Sequence, residues 1–277
     1  MIIFLLLISG IYVGWNIGSN DAANCMGTAV GSGIIKYKKA IWLVAISVLA
    51  GSILQGNYVM KALGSTVIKS ELPLSAIFIA MLSAGLFVTI ATIFHMPVST
   101  SQAIVGGLIG SGIAVFGLYS SPVNYNKLSA IILGWIFGPI FSMIGAIVFH
   151  KLVKKGLKKL GNILSGKRIQ QILTFSVIFS ACYAGYSLGA NNAGNAFGPI
   201  LNRFPNLIQV CMLFGGISLA LGVLTFGKRV TKTISKDILP LDQVSAFSAQ
   251  FSTALVVHIF AFLALPISTS QGIVGSL

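Results

Sequence analysis

Charge is what this sequence has least of. Only 8% of its 277 residues are charged, where a soluble domain has about a quarter. Four are acidic: Asp21, Glu71, Asp237 and Asp242. So few carboxylates give no cluster of acids for metal-assisted phosphoryl transfer and no second in-span acid for an intramembrane aspartyl protease. A rhomboid-type Ser–His pair lacks its glycine-flanked serine, so the chain reads as no enzyme. Cysteine is also scarce. Cys25, Cys182 and Cys211 are odd in number, lack metal-type spacing, and read as small buried side chains. The opening MIIFLLLISG has no basic residues ahead of its apolar run, so it reads as a retained span rather than a cleaved leader.

What is present is apolar. Hydrophobic residues make up 56% of the chain, with 31 glycines, and runs near the roughly 20 residues that cross a bilayer recur throughout. The pattern is that of an all-α polytopic membrane protein. Apolar segments fall at about 2–34, 40–60, 73–95, 97–118, 128–150, 169–201, 207–227 and 241–265, and a last one starts at Pro266. The net charge of +14 does not indicate nucleic acid, because the basic residues sit in short loops between these runs. The loops at 36–39, 150–169 and 227–242 hold 3, 7 and 4 Lys/Arg; Lys61, Lys69, Lys127 and Arg203 fall on the other side. The positive-inside rule then places loop 150–169 in the cytoplasm and the N-terminus outside. This assignment counts 97–118 as one crossing; if it is a re-entrant hairpin, a neighbouring segment must be split.

Two polar stretches interrupt the apolar pattern, and they are related. GWNIGSNDAANCMGTAV (14–30) aligns without a gap to GYSLGANNAGNAFGPIL (185–201), with Gly14/Gly185, Gly18/Gly189, Asn20/Asn191, Ala22/Ala193, Asn24/Asn195 and Gly27/Gly198 identical. A second pair lies downstream: MPVSTSQAIVGGL (96–108) and LPISTSQGIVGSL (265–277). Asp21 and Gln102 are 81 residues apart, and Asn192 and Gln271 are 79 apart. Five crossings separate the copies, so the halves have opposite orientation. The expected architecture is an inverted-topology repeat with broken helices and re-entrant hairpins, common in secondary transporters. Its parts are a first transmembrane repeat (1–150), a basic cytoplasmic linker (151–168) and a second, inverted repeat (169–277). The second repeat stops at Leu277, just inside its last motif, and is expected to be truncated relative to the first, which runs on through 128–150.

Polar residues at membrane depth are costly and mark function. Asp21 is the only acid within a span, and a mid-bilayer carboxylate costs about 2.5–3.5 kcal/mol even on lenient scales. Asn20, Asp21 and Asn24 supply oxygens, and Gly18 is expected to let the chain leave helical geometry there. Pro97 followed by Ser99, Thr100, Ser101 and Gln102 reads as a helix start with four polar side chains. A single Ser-Thr-Ser run is often a cap, and a single Asn is often inter-helix glue; neither explains four motifs in two inverted pairs. His258 lies in a span and is a candidate proton carrier, although a neutral, hydrogen-bonded histidine is the commoner case.

The paired GSNDAAN and GANNAGN, each followed by P[VI]STSQ, resemble the PiT family of inorganic phosphate transporters, which includes a related sulfate permease. The resemblance covers essentially the whole chain. It implies a homodimeric permease that moves phosphate, or alternatively sulfate or another tetrahedral oxyanion, in symport with sodium or protons and without a cofactor. Carried over to this sequence, the substrate ligands are Asn20, Asp21, Asn24, Ser99, Thr100 and Ser101, with Asn191, Asn192, Asn195, Ser268, Thr269 and Ser270 from the second half. Cation binding falls to Asp21, Asn24, Asn195, Gln102 and Gln271, with sodium at Asp21. The chain departs from the family pattern by having Asn192 for an Asp, Gln102 and Gln271 where His is frequent, and Gln55 and Gln250 where Glu is common. Each departure removes a titratable group. No Lys or Arg falls in the four motifs, so an anion must be held by hydroxyls, amides, helix N-termini and co-bound cations.

Overall fold

A computed structural model describes residues 2–65, 67–117, 123–232 and 242–277, and within these the chain is almost wholly helical. In order, the helices are α1 (Ile2–Gly31), α2 (Tyr37–Gln55), α3 (Asn57–Ser65), α4 (Leu74–Ile93), α5 (Thr100–Phe116), α6 (Tyr125–Gly161), α7 (Gly166–Leu201), α8 (Ile208–Phe226), α9 (Lys228–Lys232), α10 (Gln243–Phe262) and α11 (Thr269–Ser276). Among the described residues, seven helical segments are long and apolar enough to span a membrane: α1, α2, α4, α6, α7, the 205–226 segment containing α8, and α10. The 97–118 segment is the exception. Its helix α5 has 17 residues, about 25 Å of helix, short of a full crossing.

The expected interruption of α1 and α7 does not occur. Each runs unbroken through its polar motif, α1 over 30 residues and α7 over 36. Gly18 is helical, and its role is close approach. A Cβ there would lie 2.0 Å from the Leu219 carbonyl oxygen on α8, and one on Gly222 of α8 would lie 2.1 Å from the Trp15 carbonyl oxygen. The same device joins the other pair, with Gly189 against Val48 of α2 at 2.0 Å and Gly51 against Tyr186 of α7 at 1.9 Å. Small residues of this kind let membrane helices pack backbone to backbone. Gly18→Ala must therefore push α1 off α8. The expected loss is about 1–3 kcal/mol, read as a lower thermal unfolding midpoint of the purified protein in detergent; an unchanged midpoint would contradict the close approach.

The breaks fall instead at the second motifs. Helix α4 ends at Ile93 and α5 begins at Thr100; α10 ends at Phe262 and α11 begins at Thr269. Both exits are built alike. His95 and Ala264 take positive φ, 61° and 59°. Around them His95 N–H bonds Thr92 O and Met96 N–H bonds Ala91 O, as Ala264 N–H bonds Ala261 O and Leu265 N–H bonds Phe260 O. This is the Schellman ending, which satisfies the last carbonyls and turns the chain back. Ser99 and Ser268 then cap the restarted helices, accepting from Gln102 N–H and Gln271 N–H.

The basic stretch expected as a linker is mostly helix. Helix α6 runs 37 residues to Gly161 and α7 starts at Gly166. Lysine is a good helix former, and about 55 Å of helix carries Lys151–Lys159 well past an apolar span.

Candidate functional site

Asp21 sits at the centre of the molecule with no solvent exposure. Its carboxylate accepts from both halves of the chain. Oδ1 takes Asn24 Nδ2 at 3.1 Å and Ser270 Oγ at 3.2 Å. Oδ2 takes Thr100 Oγ1 at 3.0 Å and Asn192 Nδ2 at 2.9 Å. Four neutral donors thus hold one buried acid, with amides from α1 and α7 and hydroxyls from the starts of α5 and α11.

Around this centre the contacts come in matched pairs. Asn20 Oδ1 accepts from Val98 N–H at 3.1 Å, and Asn191 Oδ1 accepts from Ile267 N–H at 3.3 Å. The Asn20 amide also donates to Met96 O and Thr92 Oγ1, and the Asn191 amide to Ile267 O and Asn192 Oδ1. Each of these asparagines thus ties its helix to the hairpin of its own half. Asn24 and Asn195 reach across instead: Asn24 Nδ2 donates to Ser270 Oγ, and Asn195 Nδ2 to Ser101 Oγ, both at 2.9 Å. The two hairpins are latched to each other in the same crossed way, Ser101 Oγ donating to Ile267 O at 2.8 Å and Ser270 Oγ, whose single proton is shared between Asp21 Oδ1 and Val98 O, lying 2.9 Å from the latter.

One pair of atoms is left over. Asn24 Oδ1 and Asn195 Oδ1 are buried, and among the described residues neither has a hydrogen-bond partner. A buried acceptor without a donor costs about 1–3 kcal/mol. Oxygens are the ligands of hard cations, and these two belong to residues tied to the carboxylate, Asn24 by its own bond to Asp21 and Asn195 through Asn192, a donor set that suits a sodium-like ion. The rising N-termini of α5 and α11 add amide dipoles that favour an anion. The arrangement can therefore take charges of both signs.

Of the residues singled out in the sequence, Asn20, Asp21, Asn24, Thr100, Ser101, Asn191, Asn192, Asn195, Thr269 and Ser270 form one network, in which Thr269 Oγ1 receives Asn24 Nδ2 at 3.3 Å. Ser99 and Ser268 are spent as helix caps. Gln102 and Gln271 meet each other at 3.4 Å at the edge of a cavity of about 840 Å³ that also reaches Ser270. His258 stands apart. Its Nδ1 bonds Tyr183 Oη at 2.8 Å, and its ring lies 5.5 Å from those of Tyr183 and Tyr186, the latter bonded to Gln55.

Gln250 and Thr28 were not read as site residues. Gln250 Nε2 donates to the Asn24 carbonyl at 2.7 Å, and Thr28 Oγ1 donates to Gln250 Oε1. Together they clamp α10 to the turn of α1 that carries Asp21 and Asn24. A buried glutamine inside the apolar 241–265 segment was the available signal.

The family model of the phosphate transporters, PHO4, matches residues 17–277. The chain belongs to the phosphate transporter family. The match spans all four motifs, and the family is one of transporters, not enzymes. Similar proteins include the sulfate permease CysP of Bacillus subtilis, 30% identical over 97% of this chain and 75% of that protein. A Pyrococcus furiosus protein named as a candidate phosphate permease is 28% identical over 99% of this chain and 86% of that one. Among solved structures, one titled as the sodium-dependent phosphate transporter superposes with a TM-score of 0.88 at 25% identity, covering 99% of the transporter described here and 88% of that chain.

Proposed function

We propose that this transporter moves inorganic phosphate across the membrane by symport with sodium, with both ions held where α1 and α7 meet the starts of α5 and α11. The observation that carries the reading is the matched pair of buried, unpartnered oxygens, Asn24 Oδ1 and Asn195 Oδ1, flanking a carboxylate held only by neutral donors. Sodium fits Asp21 and those oxygens. Phosphate fits the hydroxyls of Thr100, Ser101, Thr269 and Ser270 and the amide N–H groups of the two helix starts. A dianion beside Asp21 is repelled unless a cation lies between them, so each ion binds poorly without the other, and that mutual dependence is the coupling.

The finer architecture follows the same reading. Residues 1–150 and 169–277 are two repeats of opposite orientation joined by 151–168. The crossed hairpin latches are the contacts that must break and re-form as access alternates. In this reading Asn20 and Asn191 set the hairpins, and Asn24 and Asn195 join Asp21 at the ions. In this reading α4–α5 and α10–α11 are hairpins that each enter and leave on one face, so with α5 not crossing the parity still places the N-terminus outside and the basic end of α6 in the cytoplasm. The functional unit is a homodimer.

A sulfate reading has its own support in the 30% identity to a sulfate permease and in Asn192, which cannot accept a substrate proton as a carboxylate would. Phosphate is favoured because hydrogen phosphate carries a proton that Asp21 can accept, whereas sulfate has none at neutral pH. The deciding experiment is uptake of radiolabelled phosphate and sulfate into proteoliposomes under an imposed sodium gradient, then a proton gradient. Sodium-driven phosphate uptake is expected. Sulfate uptake alone, or a response to protons only, would replace this reading.

Thr100→Ala and Thr269→Ala each remove a hydroxyl from the enclosed site, an effect of about 1–3 kcal/mol, or roughly 5- to 150-fold weaker apparent phosphate affinity. Measured KM values that rise for only one of the two would place the anion mainly in one half.

A further inference from the structure

Helix α6 presents one exposed stripe along its length, and the stripe changes character once. Leu133, Phe137, Ile140, Ile144 and Val148 are exposed apolar side chains. At about 100° per residue they fall on a single side of the helix. Lys151, Lys154, Lys155, Lys158 and Lys159 are also exposed, and they continue that same side. Val153, Leu157 and Leu160 fall on the opposite side and are half-buried. The lysines therefore point away from the protein, on the line along which α6 meets lipid.

The change falls at a definite depth. The apolar run from 128 to 149 is long enough to cross a hydrocarbon core of roughly 30 Å. Lys151, Lys154 and Lys155 follow within about 9 Å of helix, in or just above a headgroup layer about 5–8 Å deep. No acid lies between 150 and 169. The described acids are engaged elsewhere, Asp21 in the site, Glu71 with Arg203 and Asp242 as the cap of α10. Among the described residues no ion pair holds these lysines. Nor does protein cover the helix there, since a Cβ on Gly156 would meet nothing within 4 Å.

We propose that the Lys151–Lys159 face of α6 is a docking surface for the anionic phospholipid headgroups of the bilayer that the protein spans. Charge complementarity selects an anionic partner, and the apolar half of the stripe selects its source. A lipid whose tails lie against Ile144 and Val148 has its phosphate beside Lys151 and Lys155. A soluble acidic protein would satisfy the lysines but not the apolar side chains below them. Headgroup binding is independent of which anion is carried, yet it bears on transport through the other side of α6. There Gly275 of α11 packs on Pro139, Ser252 of α10 donates to Ser142 O, and Trp135 donates to Pro266 O. Headgroups that fix the height of α6 thereby fix the element that braces the second hairpin.

The test places a tryptophan where the stripe changes, Val148→Trp, at an interfacial depth that suits tryptophan. The protein is reconstituted in phosphatidylcholine liposomes that contain brominated phosphatidylglycerol or, in parallel, brominated phosphatidylcholine. Bromine quenches a tryptophan that it touches, and the signal of the three native tryptophans is subtracted using the parent. At low ionic strength, phosphatidylglycerol is expected to bind at this position about fivefold more strongly than phosphatidylcholine, and salt should lower that ratio. Lys151→Gln/Lys155→Gln on this background should bring the ratio below about twofold, and Lys151→Arg/Lys155→Arg should keep it. Lys167→Gln/Arg168→Gln removes the same charge from the exposed start of α7, off the stripe, and should leave the ratio unchanged. All four basic residues are exposed, so thermal midpoints should hold. If the glutamine pair nevertheless fails to fold, the salt titration of Val148→Trp alone still decides. A ratio near one in Val148→Trp at low salt would overturn the inference. So would an equal loss from the Lys167/Arg168 pair, which would assign the preference to net charge rather than to this face. An unchanged ratio in the glutamine pair would also overturn it and leave the lysines to an acidic protein.

Discussion

Asp21→Asn is expected to abolish sodium-driven phosphate uptake and leave the fold intact. The substitution keeps one acceptor oxygen for Thr100 and Asn192, which bond Oδ2 of the parent. It puts an NH₂ where Oδ1 receives Asn24 and Ser270. Ser270 can turn its hydroxyl to accept, and Asn24, whose Oδ1 has no partner among the described residues, can reverse its amide. The network can therefore re-form without a buried charge, and removing that charge relieves a desolvation cost. Stability should hold or rise, measured as the thermal midpoint in detergent. Transport should be lost because the one in-span negative charge among the described residues, which draws a cation to Asn24 Oδ1 and Asn195 Oδ1, is gone. A variant that takes up phosphate at the parent's rate, with the parent's sodium dependence, would remove Asp21 from the site.

Much of this was legible in the sequence because the repeat is. Two motifs in the same order with nearly equal spacing announce equivalent positions, and the structure places Asn20 with Asn191 and Asn24 with Asn195 in matching contacts. P[VI]STSQ was readable as a helix start because proline, a capping serine and a following helix form one local signal. Gly18 was not readable in the same way. A glycine beside polar residues is the same letter whether the chain breaks there or another helix packs against it. Which applies is decided by the Leu219 carbonyl of α8, 201 residues away in the chain. The positive φ of His95 and Ala264 was likewise hidden, since neither is the glycine that usually marks such a turn.

The asparagines stand out in the sequence but are not sorted there. Asn20 and Asn24 lie on one helix and look alike in sequence, yet one has both ends of its amide bonded within its own half and the other reaches across with an oxygen to spare. Such roles depend on which hairpin each helix meets, and that is a property of the assembled bundle. The end of α6 differs from the expected loop for a simpler reason. A lysine-rich stretch is polar enough for a loop and helical enough to extend a helix, and the preceding span settles it in favour of helix.

The second large effect is expected at Asn192. Asn192 Nδ2 now donates to Asp21 Oδ2 at 2.9 Å. Asn192→Asp replaces that bond with a second carboxylate pressed against the first. Two like charges about 4 Å apart repel by about 4 kcal/mol at an effective dielectric of about 20. The pair can be relieved by a shared proton or by a cation between the two groups. With sodium present, the cation is favoured, because Asn24 Oδ1 and Asn195 Oδ1 are already placed beside it without partners. Half-maximal uptake should therefore fall at lower sodium in the variant, and the curve should steepen if a second ion is recruited. Without sodium, the added negative charge faces the incoming phosphate directly, so anion binding should be weaker than in the parent. The measurement is phosphate uptake against sodium concentration at fixed pH and clamped membrane potential, with phosphate binding to the detergent-solubilised protein in sodium-free buffer as a second readout. Superimposable curves for parent and variant would mean that position 192 does not face the cation, and that the contact to Asp21 serves packing rather than coupling.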